Sequence, residues 1–132
     1  EWGIEGRKEG GNDDPLRPAL NLAEMEEKYK DCQLTEHIRM LGRLKKELSP
    51  LSEGKYRELL LTNRQYAFAR IQDDKAVIVA VNNDENPAHV SIPVPAGGNA
   101  VNAVTGEPVN VENGRINAEL SPAGSLIVSV NI

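Results

Sequence analysis

The 132-residue chain is 39% hydrophobic and 27% charged and carries a net charge of -5, the balance of one ordinary soluble globular domain with an appendage. Acids outnumber bases, which argues against nucleic acid, whose phosphates need clustered Lys and Arg. The longest unbroken apolar run, Ala76 to Val81, falls far short of the ~20 residues that span a bilayer, and no apolar segment of the signal-peptide kind opens the chain.

The chain starts without an initiator Met, in a loop dense in Gly, charge and Pro that runs from Glu1-Trp2-Gly3-Ile4-Glu5-Gly6 to Asp14-Pro15-Leu16-Arg17-Pro18. Such a loop cannot nucleate a core by itself, so the chain reads as a piece of something larger. From Asn21 the pattern turns helical. Asn21 and Glu24 have the spacing of a capping box, and Leu22, Met25 and Tyr29 follow at helical intervals. A longer helix is predicted from Leu34 to Leu48, with Thr35 as its N-cap and an apolar stripe of Leu34, Ile38, Leu41, Leu44 and Leu48. Arg39, Arg43, Lys45 and Lys46 gather near its end, where the aligned peptide dipoles favour cations. Ser49-Pro50 stops it, since Pro disfavours helix in the residue before it.

After Gly54 the apolar period switches to two. Strands are predicted at Tyr56 to Leu61, Tyr66 to Ile71, Ala76 to Val81, His89 to Val94, Ala100 to Val104, Val109 to Val111, Arg115 to Leu120 and Leu126 to Ile132. The joints are Asp73-Asp74, Asn82-Asn83-Asp84, Ala96-Gly97-Gly98-Asn99, Thr105-Gly106, Asn113-Gly114 and Pro122-Ala123-Gly124. Asn-Gly favours the mirror-image turn of tight hairpins, so Val109 to Leu120 is expected to fold back on itself. So many short strands indicate a mainly β fold, an antiparallel sandwich. Its inward face is expected to be Val77, Val79, Val81, Val90, Ile92, Ile116, Leu120, Leu126, Val128 and Val130.

Few other residues carry chemistry. Cys32 stands alone, which excludes an intrachain disulfide and a Cys-based metal site. His37 and His89 have no partner at ligand spacing and read as structural or exposed. Asn12-Asp13-Asp14 lacks the alternating carboxylates and closing Glu of a calcium loop. Gly10-Gly11 lacks the Lys-Ser/Thr of a phosphate loop. Ser49, Ser52 and Ser121 read as turn residues.

The order of elements resembles the carboxyl end of the α-amylase family of glycoside hydrolases. The resemblance rests on Glu1-Trp2-Gly3, Asp14-Pro15-Leu16-Arg17, the helix Leu34 to Leu48, Leu51-Ser52-Glu53-Gly54-Lys55-Tyr56, Tyr66-Ala67-Phe68-Ala69-Arg70 and Ala76 to Asn83, and continues from Val104-Thr105-Gly106-Glu107 to Leu120-Ser121-Pro122. Within the family the loop is most similar to the neopullulanase and cyclomaltodextrinase group. The resemblance implies that residues 1-50 are the last loop and helix of a catalytic (β/α)8 barrel and that residues 55-132 are a C-terminal β-sandwich of Greek-key type. Barrel sites sit at the C-terminal ends of the strands, so the loop from Glu1 to Pro18 would border a substrate cleft. The carboxylates of a retaining glycosidase, about 5 Å apart, come in this family from earlier strands, so this chain is expected not to catalyse alone.

The resemblance leaves Arg17, Asp14 and Trp2 as substrate contacts. The family places Asp and Arg four apart around a Pro. Here Asp14 and Arg17 are three apart, and Asp13 restores the four but misplaces the Pro. Arg17 is either a two-pronged sugar contact or the anchor of a structural ion pair, and Trp2 either stacks on a sugar or packs. No cofactor is expected for this chain, although calcium is possible in the longer enzyme. The implied partners are the remaining barrel, α-glucan oligosaccharides reached through the longer enzyme, and a second copy at the uncovered helix stripe. The cytoplasm of a bacterium is the expected location, with secretion as the alternative. For the sandwich, a plain structural cap competes with a carbohydrate-binding surface and with an unrelated Ig-like interaction domain. Sugar binding would need an exposed aromatic platform, for which only Tyr56, Tyr66 and Phe68 are available, on a face that is open or core.

Overall fold

Two-residue periodicity, punctuated by turn residues, resolves into eight strands in the computed structural model, which describes residues 1-95 and 98-131. They are β1 Lys55–Leu61, β2 Gln65–Gln72, β3 Lys75–Asn82, β4 Ala88–Pro93, β5 Ala100–Asn102, β6 Pro108–Val109, β7 Arg115–Leu120 and β8 Ser125–Asn131. Part of the joint predicted at Ala96-Gly97-Gly98-Asn99, and the Ile132 end of the last predicted strand, lie outside the described residues. The chain forms two compact units, Glu1–Arg43 and Leu44–Ile132.

In the first unit the Gly10-Gly11 pair, with φ of 54° and 82°, closes a tight reversal that pairs Glu9 with Asn12. Both glycines occupy the left-handed region that side chains avoid. Gly6 is needed for another reason: a Cβ there would lie 2.7 Å from the Pro15 carbonyl. Helix α1, Leu22–Lys28, begins as expected, with Asn21 Oδ1 accepting the N–H groups of Ala23 (3.1 Å) and Glu24 (3.3 Å). Helix α2, Gln33–Glu47, starts two residues before the predicted cap, so Thr35 lies inside it. The Thr35 hydroxyl donates instead to the Glu1 carbonyl at 2.7 Å. Ser49-Pro50 ends this helix, and Pro50 opens a single turn, α3, Pro50–Glu53.

The second unit is an antiparallel sandwich of a six-stranded sheet, ordered β1-β2-β3-β8-β5-β6, and a two-stranded sheet, β4-β7. Insertion of β8 between β3 and β5 gives the crossing connections of a Greek-key fold. Ala67, Ala69, Ala76, Ile78, Ala80, Val128 and Val130 of the large sheet meet Val90, Ile92, Ile116 and Leu120 of the small one. Small residues on the wide sheet leave room for the branched residues of the narrow one, which is how two unequal layers reach interior packing density.

Two expectations are corrected here. On β3 the core face is Ala76, Ile78 and Ala80, so Val77, Val79 and Val81 point to the opposite side. The run is apolar at every position, and a period of two cannot choose between its faces. Asn113 and Gly114 do form the mirror-image turn, with φ of 52° and 71°, and Glu112 bridges Arg115. The flanking segments, however, do not pair as a hairpin: β6 joins β5 in the large sheet, whereas β7 joins β4 in the small one. The chain changes layer at this turn.

One polar side chain is enclosed with the core. Asn82, 2% exposed, donates Nδ2 to the carbonyls of Asn86 (2.8 Å) and Ser121 (3.0 Å) and accepts from Gln65 Nε2 (2.9 Å). It ties the β2 start, the 83-87 loop and the 121-124 loop together at one end of the sandwich. Asp84 in that loop accepts the Asn86 N–H at 3.0 Å and faces Arg64 at 3.4 Å. The Asn86 N–H, followed by its side chain and Arg64, holds the Asp84 carboxyl below its ordinary value.

Candidate functional site

Two surfaces carry the residues singled out by sequence. In the first unit, Asn12 Oδ1 accepts the Asp14 N–H at 3.0 Å and starts a 3-10 turn over Asp14–Leu16, which the Arg17 N–H closes onto the Asp14 carbonyl at 2.9 Å. Asp14 and Arg17 are both exposed. Among the described residues their side chains make no hydrogen bond or ion pair with each other, and the salt bridge of this loop joins Lys8 to Asp13 at 2.9 Å. The Asp14 carboxylate and the Arg17 guanidinium are therefore open to solvent and to any ligand that borders the loop.

Trp2 is half-buried and stacks on Tyr29, ring centroids 6.4 Å apart and planes 24° apart, while Lys28 Nζ lies 5.1 Å from the Tyr29 centroid. Arrangements of this kind gain both apolar contact and ring-quadrupole attraction. Tyr29 was legible only as a helix-face residue, because nothing in its spacing reveals a partner 27 positions away. The Trp2 carbonyl also accepts from the Cys32 thiol at 3.8 Å. Hydrogen bonding from Thr35 holds this thiol below its ordinary pKa.

The second surface is the outer face of the large sheet. Because Ala67 and Ala69 turn inward, Tyr66, Phe68 and Arg70 of β2 turn outward and join Tyr56 and Glu58 of β1 and Val77, Val79 and Val81 of β3. The open alternative for Tyr66 and Phe68 is thereby resolved: they lie outside the core. The Phe68 centroid is 5.8 Å from that of Tyr56 and 5.9 Å from that of Tyr66, with planes tilted by 31° and 36°. The two phenol hydroxyls hydrogen-bond to each other. That bond, then partial desolvation and the charge of Glu58, pushes the Tyr56 pKa up to about 12. A β-bulge between Glu58 and Leu60 breaks the regular register next to the rings and directs Leu59 and Leu60 toward the core.

On the small sheet, His89 pairs with Glu119 at 3.0 Å, and Ser91 donates to Asn117 Oδ1 at 2.6 Å while accepting from Arg115 Nε at 2.8 Å. His89 and Glu119, and Ser91 and Asn117, are directly opposed across the strand pair, Arg115 reaches Ser91 diagonally, and together they form a solvated polar face. Among the described residues no three His, Cys, Asp or Glu side chains converge as a set of metal ligands.

The sequence model of the neopullulanase-like C-terminal domain matches residues 56-129. The fold is similar to that of a protein described as a cyclomaltodextrinase, with 21% identity and a TM-score of 0.79, covering 98% of this chain and 22% of that one. An Anoxybacillus α-amylase shows 21% identity and a TM-score of 0.76 over 94% of this chain and 26% of its own. AmyP, solved in complex with maltose, shows 24% identity and a TM-score of 0.68 over 89% of this chain and 23% of its own. The chain thus spans about a quarter of the length of these structural relatives.

Proposed function

Given that the chain belongs to the neopullulanase-like C-terminal domain family, we propose that it is the non-catalytic closing portion of a glycoside hydrolase acting on α-glucans such as starch, pullulan or cyclomaltodextrins. The observation that carries this reading is the family match over residues 56-129, which falls on the sandwich. Residues 1-50 are assigned to the last loop and helix of a catalytic barrel, and residues 55-132 to a supporting sandwich. No catalytic role is assigned to any residue of the chain. Asp14, Arg17 and Trp2 are placed at the rim of the substrate cleft, where Arg17 offers fixed planar donors to sugar hydroxyls.

One surface supports a barrel partner. Leu34, Ile38 and Leu41 on α2 are 47%, 41% and 38% exposed. Covering them would remove on the order of 200 Å2 of apolar surface, worth about 5 kcal/mol at the usual ~25 cal/mol per Å2. That gain suits a helix normally packed against barrel neighbours.

The test is to express the complete protein from its full coding sequence and to measure reducing sugar released from starch, pullulan and cyclomaltodextrins. The complete protein is expected to cleave at least one of them, and the 132-residue chain none. If all three substrates stay intact, the glycosidase reading fails.

A further inference from the structure

The outer face of the six-stranded sheet is covered in one part and open in another. At one end α3 lies over it: Arg70 reaches the carbonyls of Pro50 (3.5 Å, from Nε) and Ser52 (3.4 Å, from Nη2), and Val77 beside it is only 1% exposed. Along the β1 edge, where Tyr56 lies opposite Arg70, and toward the Tyr66 end of β2, the surface is aromatic and open. Tyr56 is 53% exposed, Phe68 and Tyr66 extend the ring surface along β2, and Val81, paired with Tyr66, is 37% exposed. Glu58 sits directly opposite Phe68 in the β1-β2 register, so an exposed carboxylate stands in the same row as the rings.

The geometry points to this patch, Tyr56, Phe68 and Tyr66 with Glu58, as a binding surface for a chain of α-linked glucose. The assignment of α-glucan as the ligand rests on the glycosidase reading above. A pyranose ring has an apolar C–H face and a rim of hydroxyls, each a donor and an acceptor. The three rings supply the apolar platform at low conformational cost. The bonded phenol pair retains one free O–H and several lone pairs, and Glu58 adds an acceptor-only group. Donors and acceptors thus lie at the border of the platform, where sugar hydroxyls would project.

The same features disfavour a protein seated on the patch. Among the described residues Glu58 has no ion-pair partner, and burying an unpaired carboxylate against another protein is costly. A neutral glucan leaves that group wet while donating to it. The net charge of -5 imposes no penalty on such a ligand.

The test is an amide NMR titration of the 132-residue chain with maltoheptaose, with cellohexaose as the β-linked comparison. Shifts are expected to concentrate on β1 and β2. Tyr56→Ala, at the exposed edge strand, should weaken maltoheptaose binding by about tenfold or more. Tyr56→Phe, which keeps the ring, should lose less than Tyr56→Ala. Ser91→Ala on the small sheet should stay within about twofold of the parent chain.

Absence of binding by the unaltered chain, or unchanged binding by folded Tyr56→Ala, overturns the inference. Equal binding of cellohexaose overturns its α-glucan part. The two readings fail separately. If the complete protein cleaves starch but this chain ignores maltoheptaose, only the surface assignment falls. If the chain binds maltoheptaose but the complete protein cleaves no α-glucan, only the glycosidase reading falls.

Discussion

Replacing Asn82 with Ala tests whether one amide holds an end of the sandwich together. The side chain uses three of its four hydrogen-bonding positions, two donors on the Asn86 and Ser121 carbonyls and one acceptor for Gln65. A typical internal hydrogen bond contributes about 0.5–1.5 kcal/mol net, and orphaning buried partners costs more than losing the bond alone. At 2% exposure, water has poor access to the groups left behind, so the expected loss is about 2–4 kcal/mol. The backbone bond from Asn82 N–H to the Gly124 carbonyl, 2.9 Å, is retained and sets a floor under the damage. Urea unfolding followed by far-UV circular dichroism gives the change from the midpoint, provided the slope is unchanged. Hydrogen exchange supplies a local reading: the amides of Asn86, Ala123 and Gly124 should lose protection before those of β3 and β8. Asn82→Asp keeps the shape but turns a carboxylate toward two carbonyl oxygens, which raises its folded pKa. That variant should therefore be closest to wild type in acid and fall behind as pH rises through the folded pKa. A loss below about 0.5 kcal/mol for Asn82→Ala, with the slope unchanged, would show that this node contributes nothing net and refute the reasoning.

Further expectations follow from other positions. Gly54→Ala places a Cβ 2.6 Å from the Pro50 carbonyl oxygen and 2.9 Å from the Ile71 nitrogen, both backbone atoms, and should cost about 2 kcal/mol or more. A thermal melt unchanged from wild type would contradict the close approach. Gly42→Ala, in the interior of α2 with nothing within 4 Å, should stabilise by about 0.5–1 kcal/mol, and a lower melting temperature would count against it. Tyr56 should ionise near its raised pKa of about 12, followed by absorbance at 295 nm. Because the folded value is raised, this group's contribution to stability is complete below the unfolded value near 10 and is lost as pH rises through about 12. Tyr66→Phe should bring the Tyr56 transition back toward 10, and an unmoved transition would exclude the phenol pair as its main cause. The uncovered stripe on α2 should drive self-association at high concentration, abolished by Ile38→Glu. A monomeric mass by light scattering at high concentration would remove that expectation.

The sequence revealed where the strands lie better than which way they face. Each strand is bracketed by residues whose backbone preferences are local, such as Asp73, at φ 51°, and Asn113-Gly114, so positions could be read from nearest neighbours alone. Facing is a tertiary property. In β3 valines occupy one side and Ala and Ile the other, and the packed side proved to be Ala76, Ile78 and Ala80, opposed by Ile92 and Ile116. In β2 the larger residues, Tyr66 and Phe68, are turned out and the alanines in, contrary to the usual preference for burying bulk. Thr35 shows the same limit at a helix start: its hydroxyl was read as a cap, but a carbonyl 34 residues away receives it. For the candidate sites, the loop residues were legible only through family resemblance. The aromatic patch was legible as a list of rings, and its openness depends on which side of β2 packs.

The position of β8 has a consequence for assembly. Among the described residues β8 is the strand that joins β1-β2-β3 to β5-β6, pairing with β3 on one side and β5 on the other. The two halves therefore cannot share a continuous hydrogen-bonded layer until β8 has inserted. Closure on a partner 54 positions away, Ala76 with Val130, makes this an entropically expensive event. A nascent chain halted before Ser125 would expose two raw sheet edges at once, open to pairing with other chains. Insertion of β8 thus decides whether the two halves become one sheet, since a chain that stops before Ser125 lacks the strand that joins them.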